Sequence, residues 1–316
     1  MNARRAVAAV AIVGVAIWAG WASPTAYRVR AVVRHGWVWW RPVALDSPRL
    51  SPAMRLALRD SPSAMPGSFA WRRVAPGFDV AELPAMVGAD EVDRIMLARI
   101  DPEKFRFEVR NSPGGDKTLA TWMAQTGAAL VVNGSYYGHD GRPATPVRSL
   151  GKLLGPFVYA AHAGAFLSSD TSTGIRTLAT TSWTAALEDA HDAMVSYPLL
   201  IAPDGSIGVT RPSRWLANRS FVGQDRAGRI LIGTTRDAFF TLDALARFLR
   251  AAPLDLAAAL NLDGGPVACQ GIALAGYHRK TLGRWEFQAD DTSGHLLSWL
   301  YGNTFAMPVV LAVFPR

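Results

Sequence analysis

The chain of 316 residues has a single cysteine, Cys269, so no intrachain disulfide can form. Acid is missing from the amino end. Residues 1–41 hold Arg4, Arg5, Arg28, Arg30, Arg34 and Arg41 and neither Asp nor Glu. Taking these six arginines from the net charge of +8 leaves about +2, an ordinary surface value. No basic stripe with interleaved aromatics follows in the body, which argues against a nucleic-acid partner. The sequence also lacks a Gly-x-Gly-x-x-Gly fingerprint, a nucleophile elbow and any zinc or calcium loop. His191, His278 and His295 have no partners at metal-ligand spacing, so neither metal nor cofactor is expected. Cys269 has no His near it in sequence, and a lone buried thiol is usually inert. Ser149-Leu150-Gly151-Lys152 fits the Ser-x-x-Lys pattern of penicillin-interacting enzymes. Its companion elements are absent, since Leu282 follows Lys280-Thr281, and the match reads as chance.

Half of the residues are hydrophobic, ample for a large core. Ala6 to Ala22 is apolar throughout and follows Arg4-Arg5. That length is at the lower limit for a membrane span and long for the apolar part of a signal peptide. Residues 1–26 are therefore expected to be a signal anchor or signal peptide, with the body exported and facing the periplasm or exterior. The Trp37-Val38-Trp39-Trp40 cluster suits a membrane interface, or equally a strand packed on the body. Prolines 42, 48, 52, 62 and 66 mark residues 27–66 as a tether, with a brief helix at 53–58.

The body, residues 67–316, reads as one domain of α/β class in the mixed α+β sense: a mixed β-sheet with flanking helices. Strands are expected at 92–100, 104–110, 128–132, 157–167 and 308–314. Two hairpins are expected. One turns at Asp204-Gly205 into 206–209; the other joins 220–223 to 229–234. Asp116 is read as the cap of a helix that stops at Gly127, and Ser182 or Thr181 as the cap of a helix over 183–190. Thr241 caps a third, with Leu242, Leu245, Phe248 and Leu249 on one face.

One arrangement occurs twice. A capped helix leads to a short apolar strand and then a polar, glycine-rich loop. The first copy ends at Asn133-Gly134-Ser135-Tyr136-Tyr137, the second at Asp263-Gly264-Gly265-Pro266. Glycines let a ligand approach the backbone, and Asn offers donors and an acceptor together. Arg219, at the start of a predicted strand, could grip a phosphate or carboxylate. His139 could be an acid or base, or only a turn residue beside Asp140.

Several segments in this order resemble the phosphodiester glycosidase family. They are Val131-Val132-Asn133-Gly134-Ser135-Tyr136-Tyr137, Ser196-Tyr197-Pro198-Leu199-Leu200 with the Asp204-Gly205 turn, Arg219 before Val222-Gly223, and Leu260-Asn261-Leu262-Asp263-Gly264-Gly265. Two positions depart from the family: Pro266 follows Gly265, where a small residue or Gly is common, and Cys269 lies near a position often held by Ser. The resemblance implies a hydrolase that cleaves the sugar–phosphate bond of a sugar-1-phosphodiester, in envelope or exopolysaccharide metabolism. Its catalytic residues would be Asp263, Arg219 and Asn133. Gly134, Ser135, Tyr136, Gly264, Gly265 and His139 would bind substrate. Asp263 is left open as nucleophile, base or electrostatic stabiliser. The alternative is a non-catalytic envelope protein that binds or assembles anionic glycan.

Overall fold

The computed structural model describes residues 31–33, 37–138, 140–159, 164–209, 211–290, 293–299 and 305–316. The signal or anchor segment at 1–26 and His139 lie outside them. Among the described residues no helix is long and apolar enough to cross a membrane.

The body is mostly β, in four sheets, and every strand pairing described is antiparallel. The expected α/β balance is thus shifted towards strand, and the four described helices are short. The first sheet runs Ala31–Val33, Trp37–Ala44, Ser293–Trp299, Glu286–Ala289, Trp215–Ala217. The second is built from Lys152–Leu154, Val147–Ser149, Asp192–Ser196, Gly164–Ser168 and Thr173–Thr177. The third and largest includes Leu199–Ile201, Leu256–Asn261, Ser220–Asp225, Ile230–Thr235, Asp90–Ile100 and Phe78–Val87 in that order. The fourth is Tyr277–Leu282, Cys269–Leu274, Leu130–Asn133, Val309–Pro315, Phe105–Asn111. The main core lies between sheets: Phe78 and Val222 from the third, Phe107 and Leu311 from the fourth, and Phe166 from the second are fully buried together.

Local signals explain most elements. Thr241 caps the helix Leu242–Ala251 through the Ala244 amide, and Asp243 sits in its positive first turn. Its Leu245, Phe248 and Leu249 are buried against the third sheet. Ser182 caps Trp183–Leu187, shorter than expected. The helix Leu119–Thr126 does stop at Gly127, but its cap is Thr118 rather than Asp116. The Asp116 carboxylate is occupied by the Ser112 hydroxyl at 3.1 Å.

Some expectations are corrected. Among the described residues of the stretch 157–167, those from 164 onward lie in the strand Gly164–Ser168, while 157–159 are not strand and Phe157 and Val158 are exposed. The Asp204-Gly205 turn closes through Ala202 N–H to Ser206 O, yet 206–209 does not continue as a strand. Ser149 and Lys152 face each other across a tight hairpin whose turn residues, Leu150 and Gly151, both have positive φ. That is a two-strand turn and nothing more. Part of the segment read as a tether is integrated into the body. Trp37–Ala44 pairs along Ser293–Trp299, and the helix Pro52–Asp60 buries Met54 beside Leu216 and Phe287.

Candidate active site

The two glycine-rich loops meet, although their strands belong to different sheets. Leu130–Asn133 ends in the fourth sheet and Leu256–Asn261 in the third. The Asp263 amide donates to the Gly134 carbonyl at 3.0 Å. Asn133 Nδ2 donates to the Asp263 carbonyl at 2.7 Å, and Asn133 Oδ1 accepts from the Cys269 amide at 3.1 Å. Asn133 is buried, and both ends of its amide are spent on this join. It thus clamps the two loops together. Gly134 is needed for the same closeness, since a Cβ there would lie 2.7 Å from Val309 Cγ1.

Ser135 is buried and accepts from Thr145 Oγ1 at 2.9 Å, so its hydroxyl supports the loop from within. Tyr136 stacks on Tyr197 at 4.5 Å between ring centroids. Its hydroxyl donates to the Tyr197 carbonyl at 2.8 Å and accepts from Asn261 Nδ2 at 2.7 Å. Burial first, then the charge of Asp263, raise this phenol above its usual pKa. Tyr197 itself is 41% exposed and forms an aromatic wall.

Arg219 is buried beneath the second loop. Nη2 donates to the Trp215 carbonyl at 2.7 Å and Nε to the Phe240 carbonyl at 3.3 Å. Among the described residues no carboxylate forms an ion pair with it. A buried guanidinium held only by carbonyls is expensive, and an anionic ligand would offset that cost. Burial lowers its pKa, opposed by the charges of Glu286, Asp263 and Asp243 around it.

Asp263 Oδ1 accepts from the Gly264 amide at 2.9 Å. Burial pushes its carboxyl up to about 8; the negative charge of Glu286 adds to this, while the Gly264 amide and Arg219 resist it. The shift favours the protonated form of Asp263. Glu286 enters the site from the first sheet, where it pairs with Ala217, two residues before Arg219. Its Oε1 accepts from the Trp215 indole at 2.9 Å. Burial raises its pKa too, opposed by Arg219 and by that indole.

The two glycines of Asp263-Gly264-Gly265 are explained by these neighbours. A Cβ on Gly264 would lie 3.3 Å from Arg219 Nη1, and a Cβ on Gly265 would lie 2.4 Å from Glu286 Oε2. Each glycine clears room for one charged group. Sequence reading missed Glu286 and Trp215. Their signal was slight: one acid between Trp285 and Phe287, and one indole in a turn-rich stretch. Asn218 holds this part in place, accepting the amides of Arg284 and Trp285.

Residues 126–268 match the phosphodiester glycosidase family. A comparison with curated proteins finds no match. Among solved structures, the chain is similar to the catalytic domain of zebrafish N-acetylglucosamine-1-phosphodiester alpha-N-acetylglucosaminidase, auto-inhibited by pro-peptide. That likeness covers 80% of this chain and 89% of the zebrafish chain, at 16% identity and a TM-score of 0.56. A hypothetical protein from Synechocystis is similar over 73% of this chain and 64% of its own, at 12% identity and a TM-score of 0.44. The zebrafish likeness shows a shared fold. The phosphodiester glycosidase match takes in Asn133, Tyr136, Tyr197, Arg219 and Asp263 and ends before Glu286. Cys269, just beyond its end, is buried, and burial pushes the thiol up to about 11, which leaves it inert at neutral pH. His139 lies outside the described residues.

Proposed function

We propose that the protein hydrolyses the sugar–phosphate bond of a sugar-1-phosphodiester. The observation that carries this reading is the buried Arg219 guanidinium, without an acidic ion-pair partner among the described residues, set against the Asp263-Gly264-Gly265 loop. Arg219 supplies the fixed positive charge that a phosphate diester needs and gains further as negative charge develops on the leaving phosphate. A phosphate monoester, with a second pKa of about 6, is a good leaving group. Asp263 needs only to hydrogen-bond or protonate the departing oxygen, and its raised pKa suits that task. The family match over residues 126–268 supports the same chemistry. The full chain should release free sugar from a sugar-1-phosphodiester such as a nucleotide sugar or a sugar–phospho–sugar. Asp263→Asn should abolish the release while the circular dichroism and melting temperature stay near wild type. Full activity in that variant would remove Asp263 from the mechanism. Binding of anionic glycan with no turnover across the panel would favour the non-catalytic reading instead.

The apolar, arginine-flanked residues 6–22 support an envelope setting for this activity, with an exopolysaccharide or other envelope glycan as the natural substrate. A carboxyl-terminal reporter active only outside the cytoplasm should give signal; silence at normal expression would refute export.

A further inference from the structure

One cluster of polar and aromatic groups, reaching beyond the matched stretch at Glu286 and Trp40, is unexplained by support of the fold. Glu286 is a carboxylate on an interior strand end, held against the Asp263 loop by the absence of a side chain at Gly265. Trp215 lies on the neighbouring strand. Its indole nitrogen is turned to Glu286, and the residue is 37% exposed. The Trp40 ring meets it edge-on, with centroids 6.3 Å apart, and fixes the indole from one side. The Trp215 carbonyl is also a ligand of Arg219. An indole that is half open to solvent, clamped at its N–H and packed at its edge, presents a rigid apolar surface beside a charged centre. A sugar ring matches that combination: its C–H face packs on an aromatic plane while its hydroxyls and anomeric carbon meet polar groups.

We propose that Trp215 and Glu286 form the sugar half of the site, Trp215 as the platform for the ring and Glu286 as the carboxyl group facing the anomeric carbon. The inference rests on the phosphodiester reading, with Arg219 as the phosphate half. The charges around Glu286 divide the labour. It faces Arg219, which favours its ionised form, and Asp263, whose proton its charge helps to retain. Tyr136 on the opposite loop stays neutral. In the reaction the bond from C1 to the phosphate oxygen breaks, and its electron pair goes to that oxygen, which takes the Asp263 proton. The positive charge that develops at C1 is stabilised by the Glu286 carboxylate. Water then adds to C1 and returns a proton to Asp263. Glu286 neither gains nor loses a proton in these steps, and the sum is one water consumed, one sugar and one phosphate monoester released.

Two measurements test this on the full chain. In the first, glucose 1-phosphate, N-acetylglucosamine 1-phosphate and inorganic phosphate are titrated while tryptophan fluorescence is followed. A sugar phosphate should perturb the emission of the wild type, phosphate alone should not, and the change should vanish in Trp215→Phe. Trp215→Ala should weaken sugar-phosphate binding roughly tenfold, the equivalent of about 1.4 kcal/mol. Equal responses in wild type and variant, or no response to either sugar phosphate, would overturn the platform. In the second, steady-state kinetics on a diester should show KM rising in Trp215→Ala. In Glu286→Gln kcat should fall by roughly 10²–10³ with KM little changed. The alkaline limb of Glu286→Gln should also move to lower pH, because Asp263 loses a negative neighbour. Glu286→Asp, which keeps the charge, should recover part of the rate. An unmoved limb in Glu286→Gln would overturn the role of Glu286. If the wild type releases no sugar yet a sugar phosphate still perturbs Trp215, the subsite stands and the hydrolase reading falls.

Discussion

Gly265 and Glu286 are shaped to each other: a Cβ at residue 265 would sit 2.4 Å from Glu286 Oε2 and 3.2 Å from its Cβ. Gly265 also has φ of +70°, where an L side chain is strained. Gly265→Ala should therefore cost about 1–3 kcal/mol of stability from the backbone alone and displace the carboxylate as well. Gly264 has no such φ, but an added Cβ would lie 3.1 Å from the Asn218 carbonyl and 3.3 Å from Arg219 Nη1. Gly264→Ala should disturb the guanidinium more than the fold. Urea unfolding and kcat/KM, measured on both variants, should separate them: stability falls mainly in the first, activity in both.

Asn133 should behave as a structural clamp. Each of its two strong hydrogen bonds joins buried backbone groups of different loops. Leaving such groups unsatisfied costs about 1–3 kcal/mol each. Asn133→Ala should lower the unfolding free energy by about 2–4 kcal/mol and lower activity in step. Asn133→Asp keeps an acceptor for the Cys269 amide but cannot donate to Asp263 O, and should fall between. Wild-type stability in Asn133→Ala would mean that the amide serves substrate instead.

Arg219→Lys keeps one positive charge but not the planar fork that reaches Trp215 O and Phe240 O together. We expect kcat/KM to drop by roughly 10²–10³, the usual cost of losing a fixed charge-stabilising donor. Melting temperature should also fall as the Trp215 and Phe240 carbonyls lose a donor, and an unchanged kcat/KM would exclude Arg219 from phosphate recognition.

Stability should fall as pH rises through neutrality. Asp93, 1% exposed, has its carboxyl pushed up to about 8 by burial, against backbone N–H donors from Asp237 and Arg94. An unfolded aspartate titrates near about 3.9. The folded carboxyl thus binds its proton more tightly, so its contribution is fully present below about pH 4 and is lost as pH rises towards 8. Asp263 acts in the same direction. Asp93→Asn should reduce the difference in urea midpoint between pH 5 and pH 8; an unreduced difference would place the effect elsewhere.

Much of this protein is determined locally and can be read in one dimension. Thr241 and Ser182 cap helices because a hydroxyl reaches an orphan amide three residues on. The apolar runs at 92–100, 128–132, 257–262 and 308–314 become buried strands because their side chains have nowhere else to go. The paired loops at Asn133 and Asp263, and Arg219 nearby, were legible as repeated strand exits with glycine and polar residues. What only the tertiary structure decided is which groups share a space. Asn133, read as a catalytic residue, acts as a clamp because the third sheet brings Asp263 O to one end of its amide and the neighbouring strand of its own sheet brings the Cys269 amide to the other. Asp116 lost its cap to Thr118 because Ser112 reaches its carboxylate. Glu286, in none of the motifs, became part of the site because its strand pairs with the one leading into Arg219 and Gly265 leaves room for it. Electrostatic and steric neighbours of this kind depend on non-local packing, and no local propensity encodes them; the two adjacent glycines were the trace they left in the chain.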